Sequence, residues 1–162
     1  MNSRILSSGP LVMAAMSIVL SASAVLAEAK TLNVQGSLDG HGIGVFQNGT
    51  LQASGAGEGH ASPIGRFTYV LNATVDLNGS STGVFLLVFN NGDVIYGSFT
   101  GFGPPTGPNA GHIVENLTIN GGTGRFEGAT GSFRLDRIVD PSTLPAFESD
   151  SGTLTGTIST PK

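Results

Sequence analysis

The stretch Ile119–Pro141, INGGTGRFEGATGSFRLDRIVDP, sets five glycines among alternating polar and apolar residues. It has four readings: a phosphate loop, a dinucleotide-binding turn, a calcium-binding repeat, or a bent piece of β-barrel wall. A phosphate loop needs Gly-x4-Gly-Lys-Ser/Thr at the start of a helix, and no lysine lies between Lys30 and Lys162. A dinucleotide fingerprint needs Gly-x-Gly-x-x-Gly between a strand and a helix. Here Gly122, Gly124 and Gly128 have a different spacing, and a strand-like segment follows. The calcium-binding nonapeptide needs an aspartate where Phe126 stands, and several copies. The barrel reading is left.

Outward from the motif, the chain reads as strands and turns without a helical period. In RFTYVLNATVDL, the residues Phe67, Tyr69, Leu71, Ala73, Val75 and Leu77 alternate with a mostly polar set. A period of two puts the first set on one face of a strand. Asn78-Gly79 opens a turn, VFLLVF (84–89) is apolar on both faces, and Asn91-Gly92-Asp93 turns the chain into VIYGSFTG. Residues 66–101 therefore read as a three-stranded antiparallel meander. The Gly/Pro loop GFGPPTGPNAG follows, then the strand HIVENLTI, an expected turn at Asn120-Gly121, the glycine motif, and a last strand at Gly152–Thr160. Ahead of the meander, TLNVQGSL and GIGVFQNGTLQASG supply two or three shorter strands, with Asn48-Gly49 as a turn. About eight strands at this spacing predict one all-β domain, a closed antiparallel barrel or a sandwich.

The motif also carries a family resemblance. GGTGRFEGATGSFRLDRIVDP resembles the signature of the plant allene oxide cyclases, and its Gly-Gly-Thr-Gly-Arg-Phe portion is similar to an element of the dirigent proteins. Gly121, Gly122, Thr123, Gly124, Phe126, Glu127, Gly128, Ala129 and Gly131 match the former, and Arg125 is closer to the latter. The resemblance spans about 20 residues, Ile119 to Asp140. It implies an eight-stranded antiparallel barrel and assembly as a homo-trimer or homo-dimer. It assigns no catalytic residue, because Thr31–Glu58 offers no match to the cyclase strands that carry the acidic group. Within it, the early glycines are expected to take positive φ in a hairpin, and Gly128 and Gly131 to let a strand bend where the wall closes.

Residues 1–27 contain Arg4, an apolar core from Leu11 onward, and the small-residue ending Val25-Leu26-Ala27, the form of a secretory signal peptide. The expectation is a domain over 28–162, secreted or periplasmic, beginning at Glu28 or Lys30 and free of the membrane after cleavage. That domain has six basic residues against eleven acidic ones, a net charge of −5. Nucleic acid is excluded as a partner for want of a basic surface. With no cysteine, stability rests on packing and sheet hydrogen bonding.

Individual residues add less. Gly79-Ser-Ser-Thr-Gly83 fits the hydrolase nucleophile elbow, but a strand follows it where the elbow needs a helix, so it reads as a polar turn. His41, His60 and His112 have no ligand-like spacing, so no metal and no cofactor is expected. Ile113, Glu115, Leu117 and Ile119 share a face, which directs a carboxylate to the apolar side unless that face is the barrel exterior or a subunit contact. Glu58, His60 and Arg66 cluster near a bend at Pro63 and Gly65.

Three functions follow as alternatives. The first is a barrel that binds a small hydrophobic molecule in its lumen. Its walls would be Phe67, Tyr69, Phe85, Leu87 and Tyr96, with Glu115 or Arg66 as a polar anchor. The second is an isomerase or dirigent-like factor that steers a reactive intermediate by confinement. The third is a structural or surface-interaction barrel filled by its own side chains, which a lumen of about one or two hundred cubic ångströms or less would favour.

Overall fold

The computed structural model describes residues 29–104, 106–107, 111–140 and 146–161. The expected leader and part of the Gly/Pro loop lie outside them. Eight strands run in order: β1 (Lys30–Gln47), β2 (Thr50–Ser62), β3 (Gly65–Val75), β4 (Ser80–Phe89), β5 (Val94–Phe102), β6 (His112–Gly122), β7 (Thr130–Val139) and β8 (Ala146–Thr160). Each pairs antiparallel with the next, and β8 pairs with β1, so the sheet closes into a barrel. Among the described residues the helical content is one 3-10 turn, Gly124–Phe126.

Local chemistry accounts for the tight connections. Asn48 and Gly49 both take positive φ, 52° and 81°, the two-residue hairpin geometry that Asn-Gly favours. Gly79 in the β3–β4 turn and Gly92 in the β4–β5 turn likewise take positive φ. Three expectations need correction. The segments before the meander form two long strands, β1 and β2, because Gly36, Gly40, Gly57 and Gly59 continue the ladder instead of ending it. Asn120-Gly121 is no turn: β6 runs on through Gly122 opposite Ile95, past a bulge at Tyr96/Gly97, and the chain reverses over residues 123–129. Leu77 leaves the inward face, since β3 ends at Val75 and the Asp76 turn leaves it 70% exposed.

The inward set is Val34, Leu38, Ala61, Phe67, Tyr69, Leu71, Ala73, Phe85, Leu87, Phe89, Ile95, Phe99, Leu117, Ile119, Phe133, Leu135, Leu154 and Ile158, all buried. A small barrel has little room inside, and glycines supply it. A Cβ on Gly59 would overlap the Phe67 ring, on Gly97 the Phe85 ring, and on Gly83 the Phe99 ring.

Successive connections alternate between the two ends of the barrel. Turns β2–β3, β4–β5 and β6–β7 share one end with the outer ends of β1 and β8, and the glycine motif closes it. Phe126 and Ile64 are buried there beneath Arg125. Arg125 donates from Nη2 to the Ile64 carbonyl at 2.6 Å and pairs through Nε with Asp93 Oδ2 at 3.2 Å. Its guanidinium lies 4.6 Å from the Phe126 ring centroid and 5.0 Å from that of Phe89, a cation–π geometry. One side chain thus ties three turns together. Gly124 (φ 58°) must be left-handed to make the turn, and a Cβ there would run into the Asp93 carboxylate. Gly128 (φ 68°) is left-handed as well and lies against Pro161.

Replacing Gly124 or Gly128 with valine should cost about 1–3 kcal/mol each, the order of a β-branched residue forced to positive φ. Chemical denaturation followed by circular dichroism measures this, and unchanged midpoints in both variants would show that the motif closes nothing.

Candidate functional site

The opposite end, where turns β1–β2 and β3–β4 lie and where β5 and β7 end and β6 begins, holds a pocket of about 260 Å³. Its walls are mainly apolar: Leu51 and Ala53 from β2, Ala73 and Val75 from β3, Ile113 from β6 and Val139 from β7. Phe46 and Leu77 stand exposed at the rim with Asp76. The inner end is polar and is made by Ser81, Glu115 and Arg137.

Those three side chains arrive by strand register. Ser81 of β4 pairs with Gly101 of β5, and Gly101 pairs with Glu115 of β6. Gly101 makes their approach possible, because a Cβ there would lie only 2.6 Å from Ser81 Oγ and 2.7 Å from Glu115 Cγ. Arg137 follows Phe133 and Leu135 on the inward face of β7 and pairs with Gly152, whose own Cβ would crowd it. Glu115 is 1% and Arg137 5% exposed. Arg137 donates from Nε to Glu115 Oε2 at 3.1 Å and from Nη2 to Oε1 at 3.0 Å. This two-pronged geometry occupies both carboxylate oxygens and balances the buried charge. Ser81, 6% exposed, differs: its Oγ has no hydrogen-bond partner among the described residues.

The residues expected to form a ligand site fall into three groups. Phe67, Tyr69, Phe85 and Leu87 point into the lumen but are packed in its filled middle, away from the pocket walls. Glu115 lines the pocket. Tyr96 and Arg66 do not face the lumen. Tyr96 is 44% exposed between inward Ile95 and Gly97, and its ring covers Gly121 from outside. Arg66 is exposed on the outer wall in a shallow polar groove with Asp39, Glu58 and His60. The cation that meets Glu115 is Arg137, which the sequence reading does not single out. Its signal lies in the alternation Phe133, Leu135, Arg137, Val139, which puts Arg137 on the apolar face. Ser81 is hidden in the Gly-x-Ser-x-Gly turn, though it shares parity with Phe85 and Leu87.

On the outer wall at the same end, Asp136 bonds His112 and Arg134. The hydrogen bond to His112 holds its carboxyl below the ordinary 3.8, with Arg134 adding to the effect. Among the described residues no group of three or more His, Asp or Glu is arranged to hold a metal ion. In comparisons with family models, with curated proteins and with solved structures, nothing matches this chain.

The buried pair makes a definite prediction. Glu115→Leu or Arg137→Met alone should cost about 3–5 kcal/mol by stranding a charge in the interior, and the double variant should recover most of that loss. Equilibrium denaturation of the three variants measures it; a double variant as unstable as the two single losses added together would show that the two charges do not compensate each other.

Proposed function

We propose that this protein is a binding barrel that holds one small, mainly apolar molecule in its mouth pocket. The observation that carries the reading is the contrast between the two ends. The base is closed and packed with aromatic rings, whereas the mouth leaves about 260 Å³ beside a buried polar group without a partner among the described residues. That volume lies just under the usual range for ligand sites and well above the roughly 150 Å³ of an apolar cavity that takes benzene. A barrel filled throughout by its own side chains would not leave such a space.

The likeness of the glycine motif to the allene oxide cyclases and dirigent proteins also supports a barrel that receives a small molecule, and we extend the proposal to membership of that superfamily. Binding is favoured over turnover by one feature. Both oxygens of Glu115, the acidic group at the inner end of the pocket, are engaged by Arg137, so neither is left free to act on a bound molecule. The leader-like first 27 residues place the encounter with the ligand outside the cytoplasm in this proposal.

Ala53 sits on the pocket wall with room in front of it. Ala53→Phe should lower the affinity for an apolar probe such as naphthalene at least about tenfold, because a phenyl ring would take up the volume the probe needs. It should leave the unfolding midpoint equal or higher, because it fills space. Binding by fluorescence titration that is unaffected by this substitution would put the ligand elsewhere or nowhere.

A further inference from the structure

From the polar inner end of the pocket we infer that the preferred ligand is electrically neutral and carries one hydrogen-bonding oxygen, as an alcohol or ketone does, set against Ser81. This rests on the binding reading above and specifies its chemistry. Ser81 Oγ is buried, lines the pocket and has no partner among the described residues. A buried hydroxyl without a partner is costly, and a ligand oxygen that satisfies it recovers that cost. Gly101, between Ser81 and Glu115 in register, lets their side chains crowd over its backbone, where a Cβ would meet both.

Charge rules out the obvious rival, a carboxylate ligand attracted by Arg137. Arg137 already meets Glu115 through two nitrogens, at 3.1 Å and 3.0 Å. A second anion would enter an apolar pocket where the cation at its inner end is already compensated. It would also pass the acidic Asp76 at the rim, whose Oδ1 accepts from the backbone N–H groups of Asn78 and Ser80. An organic cation finds no free anion at the inner end either, since both Glu115 oxygens are engaged by Arg137. A neutral oxygen avoids both costs, and the apolar walls hold a skeleton of about one or two rings.

The test uses three probes of one skeleton, naphthalene, 2-naphthol and 2-naphthoate, titrated at neutral pH by their own fluorescence into a chain that has no tryptophan. 2-Naphthol should bind about 3- to 10-fold more tightly than naphthalene, the yield of one hydrogen bond, and 2-naphthoate more weakly than either. Ser81→Ala should erase the advantage of 2-naphthol, bringing its affinity and that of naphthalene within about twofold of each other. The inference is overturned if 2-naphthoate binds most tightly, or if Ser81→Ala leaves the ratio of naphthol to naphthalene intact. Naphthalene binding without any naphthol preference sinks this inference alone. No binding by any of the three sinks the binding reading with it.

Discussion

An eight-stranded barrel encloses a space barely wide enough for its own side chains or one small ligand, and the pairing of glycine with aromatic rings decides how this chain uses it. Phe67 lies over Gly59, Phe85 over Gly97 and Phe99 over Gly83. Each ring occupies the volume that a neighbouring strand has given up, which keeps the interior dense without pushing the wall outward. Gly101 follows the same rule, but the side chains that take up its volume are those of Ser81 and Glu115, with no ring among them. The pocket begins at that level, where the aromatic partner is missing.

The two ends then take on different duties. At the base, Arg125 bridges the turns carrying Ile64, Asp93 and Phe126, so closure depends on groups far apart in sequence. At the mouth, the polar groups are gathered into one internally neutral pair plus a hydroxyl with no partner among the described residues. Such a pair adds little stability over an apolar equivalent, but breaking it is expensive. In a pocket it discourages charged ligands, and the proposed selectivity follows from that.

Much of the fold is legible in the sequence because period-two alternation and Asn-Gly turns are local signals. The meander, read over 66–101 and running from Gly65 to Phe102, and the shared face of Phe67, Tyr69, Leu71 and Ala73 follow from residues near one another in sequence, whereas VFLLVF, apolar on both faces, and Glu115 leave the inward side open. The failures have physical causes. Asn120-Gly121 looks like a hairpin turn, yet the reversal lies beyond it at Gly124, since β6 extends to Gly122 to continue its pairing with β5. Tyr96 is expected inside on its aromatic character, although the parity of Ile95 and Phe99 puts it outside. Arg137 and Ser81 escape a sequence reading because a charge and a hydroxyl are unusual on an inward face. Which glycine meets which ring depends on register across strands, and no single segment encodes that.

The lumen is filled and closed at the glycine-motif end and open at the other, and a crystal pressurised with xenon probes that division, because xenon enters apolar space and avoids packed interior. One xenon site should appear among Ala53, Ala73 and Ile113 at the mouth, and none around Phe89 and Phe126. Xenon at the base, or a mouth that excludes it, would contradict this division of the barrel.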